Sequence, residues 1–164
     1  MSAENNVLKS IRSEVHYQGT YADNAFGLLS APIPLYRSLL KHLSLFGATF
    51  QNFRLETPNL ADCHIVVALP DLNSTIRISL DRFELDRWKL QEVGTETAHR
   101  IALATWAAIR EADDSIQLSG HMVDLNIFAE IQGRTYRDLM AQYVKTPEEL
   151  GVMDLGVAFY TPPV

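Results

Sequence analysis

From Thr95 to Ile131 the chain carries a helical stretch followed at once by a long extended one, and each reads in a single period. Between Thr95 and Ala112 the residues Ala98, Ile101, Ala102, Thr105, Ala108, Ile109 and Ala112 recur at helical spacing, with Thr95 or Thr97 placed to cap the start. Small residues on that stripe allow close approach to a sheet, and Leu103, Trp106 and Ala107 extend the apolar surface to another side. A helix apolar over most of its circumference is sandwiched, in its own domain or against a partner.

The strand that follows changes phase. Ile116, Leu118 and Met122 give way to Val123, Leu125, Ile127 and Ala129. A second change falls near Asp81-Arg82, between Ile76, Ile78, Leu80 and Phe83, Leu85, in what reads as one strand from Thr75 to about Leu85. A bulge or sharp bend is the simplest cause of each, and two bent strands make a strongly curved sheet.

The remaining elements follow from the same two periods. Val15, Tyr17 and Tyr21 alternate with polar residues in a first strand, Arg12 to Tyr21, and the short polar tip and the proline-flanked stretch Asp23 to Pro34 are the only stretches that could serve as linkers. A helix opening at Pro34 and ending before Gly47 carries Leu35, Tyr36, Leu39, Leu40, Leu43 and Phe46 on one face. Strands Ala48 to Thr57 and Cys63 to Leu69 continue into the strand from Thr75, with short turns at Pro58-Asn59 and 70–74. The apolar run Ile65 to Leu69 lacks alternation, which predicts a central strand covered on both faces. Beyond Gly133 we expect a short helix on Tyr136, Leu139, Met140 and Tyr143, a capped turn at Thr146 to Glu149, and a last strand from Val152 to Tyr160. The fold class is therefore α+β, order β-α-β-β-β-α-β-α-β: one domain over residues 1–164, a curved, mainly antiparallel sheet of about six strands, helices on one face.

At 164 residues, 47% hydrophobic and 21% charged, the chain has the make-up of an ordinary globular domain and needs no disulfide; Cys63 is its single cysteine and reads as a buried, inert thiol. Fourteen basic against twenty acidic residues, with the cations scattered singly, argue against nucleic acid and against anionic membranes as partners. The polar N-terminus lacks a signal-peptide layout and no apolar run reaches the ~18 residues of a membrane span, so a cytoplasmic location is expected.

No catalytic, nucleotide or metal motif is present. The glycines are isolated, so no phosphate loop is expected; no cofactor is called for, and the five histidines lack the close pairing of a zinc site. His121, Asp124 and Asn126, next to Ser119-Gly120, are the nearest approach to a hydrolytic group, although a straight strand sends His121 and Asp124 to opposite faces unless the phase change at Met122 brings them together. His16 and His64 are a second pair that could meet on the wet face.

Two binding readings remain beside that enzymatic one. Trp88, Phe83 and Arg87, with Leu103 and Trp106 on the helix, form a candidate rim for a protein partner or for self-association, since Trp and Arg anchor interfaces. Tyr17, Tyr36, Phe50 and Phe53, with Trp106, are candidates to line a pocket for a small apolar ligand, against the plainer role of filling the core. In element order, residues 34–144 resemble the layout of bacterial secretion chaperones. That resemblance implies a non-enzymatic interaction or assembly module and transfers no residue roles.

Overall fold

The computed structural model describes residues 8–57, 63–90 and 94–131. The expected helix at Tyr136, the turn at Thr146 and the strand from Val152 lie outside the described residues, as does the turn at Pro58-Asn59. The chain divides into two compact units, Ser10–Phe128 and a second made of Met1–Lys9 with Ala129–Val164, and the buried core lies within the first.

Six strands form one antiparallel sheet: β1 (Leu8–Tyr21), β2 (Phe53–Glu56), β3 (His64–Leu69), β4 (Ser74–Ile78), β5 (Arg82–Trp88) and β6 (Leu118–Ile131), in the spatial order β2-β3-β4-β5-β1-β6. The helices are α1 (Phe26–Ser30), α2 (Pro32–Leu43) and α3 (Thr95–Ala112). The α+β class and the helix Thr95 to Ala112 stand as read from the sequence.

The phase change near Asp81 has a different cause from the one expected. The chain turns back on itself there: β4 and β5 are two strands of a tight hairpin, closed by the Ser79 amide donating to the Arg82 carbonyl at 2.8 Å. A reversal changes which residue parity faces inward just as a bulge does, so the pattern alone could not separate them. The strand expected from Ala48 begins instead with a 3-10 turn, Phe50–Asn52, which leaves β2 only four residues. The expected linker holds α1, and α2 opens at Pro32 rather than Pro34. A 3-10 turn, Ser44–Phe46, then ends at Gly47 in the left-handed region, φ 81°.

Register arranges the inner face in rows. Ile65, Ile78, Phe83 and Gly19 form one, Val67, Ile76, Leu85 and Tyr17 the next, and Leu69, Ser74, Arg87 and Val15 the third. Against these rows α2 buries Leu35, Leu39 and Leu43, and α3 buries Ala98, Ile101, Ala102, Thr105, Ala108 and Ile109. The outer face is polar, with Arg77, Glu84 and Gln18 in one row and Thr75, Asp86 and His16 in another. Strand β3 therefore alternates, Ile65, Val67 and Leu69 fully inward and Val66 and Ala68 half-buried, rather than being covered on both faces. Val and Ala are small enough to sit among outer-face charges, which is why their presence misled the pattern.

The two long helices are tied together at their C-terminal ends. Glu111 of α3 accepts from Lys41 Nζ at 2.8 and 2.9 Å and meets His42 Nε2 at 2.6 Å. Gly94, not a threonine, occupies the cap position of α3 and makes no side-chain cap bond.

Candidate functional site

An apolar groove with a cavity volume of about 480 Å³ runs along α3. Its floor is the inner face of β5, β1 and β6, through Leu85, Val15, Tyr17, His121, Val123 and Leu125; its wall is α3, through Ala98, Ala102, Leu103 and Trp106. The groove exists because β6 is the outermost strand of this sheet beside β1, and α3 lies over β5 rather than over the end of the sheet. Leu103, Val123 and Leu125 are consequently 53%, 58% and 54% exposed, in a chain whose other inward strand residues are mostly covered.

Three aromatic groove residues, Trp106, Tyr17 and His121, are linked through rings, with the buried Phe83 between the first two. Trp106 stacks on Phe83 (centroids 6.1 Å, 11° between planes), Phe83 tilts against Tyr17 (5.5 Å), and Tyr17 stacks on His121 (6.3 Å, 15°). Arg110 Cζ lies over the Trp106 ring at 6.0 Å, and the guanidinium donates to the Ile116 carbonyl at 2.9 Å. Burial raises the pKa of Tyr17.

The residues singled out from sequence are distributed over several places. Leu103 and Trp106 line the groove, and Tyr17 joins them. Phe83 and Arg87 are fully buried and cannot be rim residues: β5 alternates inward from Phe83, and a rim would have needed the opposite parity. Trp88 points to the other face from Arg87, half-exposed, so it does not share a surface with Leu103. Tyr36 and Phe53 meet edge to face at 5.6 Å and, with Phe50, Ile33 and Leu40, line a separate surface depression of about 470 Å³ at the β2 edge. The proposed four-residue pocket is therefore two sites, because Tyr17 is on β1 and the other three belong to α2 and the opposite edge of the sheet.

The enzymatic pairings do not come together. His16 and His64 sit on β1 and β3, with β5 and β4 between them, so about 14 Å separates their strands. Each has an acid instead: His16 Nδ1 is 2.6 Å from Asp86, directly opposite it, and His64 Nε2 is 3.0 Å from Glu56. His121 faces the groove, and alternation sends Asp124 to the other side of β6. Ser119 is turned away as well, donating to the carbonyls of Thr20 and Tyr21 at 3.2 and 3.1 Å. Among the described residues no three of His, Cys, Asp and Glu gather in a way that would hold a metal ion. Cys63 is buried.

Sequence reasoning missed Val15, Leu85, His99, Val123 and Leu125 as groove residues. The alternation of the strand residues Val15, Leu85, Val123 and Leu125 is visible in the sequence, but the adjacency of β1 and β6 is not. No described helix is long and apolar enough to cross a membrane. No protein-family model, no curated protein and no solved structure matches the chain.

Proposed function

We propose that this protein is a non-enzymatic binding module whose groove between α3 and the β1–β6 end of the sheet takes up a small apolar ligand. The observation that carries this reading is the groove itself. Its volume falls in the range of roughly 300–1,000 Å³ common for small-molecule sites, its lining is mostly aliphatic and aromatic, and the polar groups are few. Much of the stripe of α3 is covered by the chain's own sheet and by α2, while Leu103 of α3 stays 53% exposed where the groove opens.

Trp106 in the wall provides the readout. Titrating the full chain with apolar ligands of graded length should change tryptophan emission saturably and raise the Tm in the same order. A panel that leaves both unchanged removes this reading.

A second reading, a protein-interaction or assembly module, is favoured by the three half-exposed residues Leu103, Val123 and Leu125 at the mouth. Light scattering separates the two. Self-association that disappears on adding Val123→Arg supports docking of a second copy, whereas a monomer that binds small ligands supports the first reading.

A further inference from the structure

Charge is unevenly placed along this chain. From Phe26 to Leu55 there is no aspartate and no glutamate, although twenty acids are spread over 164 residues, and the run carries the cations Arg37, Lys41 and Arg54. Phe26, Ile33, Leu45, Phe50 and Leu55 of the same run make up five of the ten large apolar side chains that stand exposed among the described residues, so positive charge and uncovered apolar surface fall on one stretch. Lys41 is taken up by Glu111. Arg37 and Arg54 are exposed and have no acid partner among the described residues.

Ile33, Phe50 and Arg37 meet in the depression at the β2 edge. Helix α2 brings Ile33, Tyr36, Arg37 and Leu40 to it at i, i+3, i+4 and i+7, a second stripe beside Leu35, Leu39 and Leu43, which the helix buries in the core. Phe50 comes from a 3-10 turn pinned by Thr49, whose amide and hydroxyl both lie 2.7 Å from Asn52 Oδ1. A ring 70% or more exposed is thus carried on fixed backbone: Phe50 is 74% exposed. An aromatic residue set in place before contact loses less freedom on binding, which suits it to anchor an interface.

The lining contains one cation and no acid. Arg54 follows Phe53 on β2 and sits opposite Val66, on the other face of the sheet, so the two arginines flank the edge from either side. Apolar lining calls for an aromatic or large aliphatic side chain, and the flanking guanidinium groups call for carboxylates around it. An anionic membrane would present the same charge. Recognition of such a surface uses clusters of about four to eight cations, and this face offers two that are not already paired.

We infer that the depression between α2 and the β2 edge docks an acidic segment of a partner protein, which sets one aromatic or aliphatic side chain against Ile33, Tyr36 and Phe50 and carboxylates against Arg37 and Arg54. The site lies at the opposite edge of the sheet from the groove and does not depend on what the groove binds.

A displayed library of random short peptides, selected on the full chain, tests it. The expected pool is rich in aspartate and glutamate on both sides of an aromatic or large aliphatic residue. Affinity of a selected peptide, read by fluorescence anisotropy, falls by roughly tenfold or more in Phe50→Ser and in Arg37→Glu, and Val123→Arg leaves it unchanged. Selection on the double variant Arg37→Glu, Arg54→Glu returns peptides in which lysine and arginine replace the acids. The replaced side chains are all exposed, so each variant keeps the circular dichroism of the natural chain. A pool without acid enrichment, acidic peptides indifferent to Arg37→Glu, or no enriched peptide at all overturns the inference. Binding to phosphatidylserine vesicles that Phe50→Ser abolishes would give the surface to a membrane, and self-association in light scattering that Phe50→Ser abolishes would give it to a second copy; either result overturns the inference too.

Discussion

Phe83 lays its ring over the backbone of Gly19, the residue directly opposite it in the β5–β1 ladder. A Cβ at position 19 would come within 2.4 Å of Phe83 Cε1, and the ring has nowhere to go, since Trp106 and Tyr17 pack on it. Glycine is required there by the close approach of a rigid side chain and not by backbone conformation.

Gly19→Ala is therefore expected to destabilise the fold by about 1–3 kcal/mol, the usual cost of overpacking. The effect should shrink to a few tenths when Phe83→Leu is already present, since the leucine side chain can turn aside. Urea unfolding of the four-member cycle measures the coupling. Additive losses would show that the ring does not press on position 19.

Tyr21 presents the opposite problem at the end of the same strand. Its hydroxyl is buried with no hydrogen-bond partner among the described residues, and burial together with the nearby Asp81 charge raises its pKa. Removing an unsatisfied buried hydroxyl removes a desolvation cost of about 1–3 kcal/mol without opening a large cavity. Tyr21→Phe should thus be neutral or stabilising in thermal melts, with near-ultraviolet circular dichroism otherwise preserved. A clear loss of stability would mean that the hydroxyl is bonded in solution.

Glu111 couples α2 to α3 and makes that contact sensitive to acid. Hydrogen bonds from Lys41 and then His42 lower the Glu111 pKa. A carboxylate whose folded pKa is depressed contributes stability above its unfolded value of about 4.3, and that contribution fades as pH falls through the folded pKa. Melts in Glu111→Gln should accordingly show a smaller drop between pH 6 and pH 3 than the natural chain shows. An identical drop would remove Glu111 from the acid response. The group is exposed at the surface, and salt should weaken its contribution further.

Much of this architecture was legible in the order of residues alone. Small residues at helical spacing marked α3 to its ends, and the alternation of Val15, Tyr17 and Tyr21 gave the inward face of β1. The failures share a physical origin. Parity reports which face a residue takes but not where the chain reverses, so the sequence around Asp81 reads as a bend and offers Phe83 and Arg87 as rim residues, whereas β4 and β5 form a hairpin that buries both. The site needed information that no local pattern holds: β6 lies beside β1, and α3 lies over β5 with the end of the sheet left open. Arg87 is the instructive case. Its charge pointed to a surface, whereas its inward parity next to Leu85 pointed to the core, and the second signal was the correct one.

The groove can be closed without disturbing what holds the fold together. Val123 and Leu125 contribute to its floor, yet each is more than half exposed, so a long cation at either position can reach water while its stem crosses the cavity. Surface replacements of this kind change stability by no more than about 0.5 kcal/mol. Val123→Arg and Leu125→Arg should each leave the Tm within a degree or two and reduce binding of a neutral apolar probe such as decanol by tenfold or more. Ile33→Arg, placed in the separate depression beside Tyr36, should leave that binding unchanged. The comparison assigns the ligand to one of two apolar surfaces. If Ile33→Arg abolished binding and Val123→Arg did not, the seat would move to the β2 edge, and the aromatic row from Trp106 to His121 would be left a purely structural role.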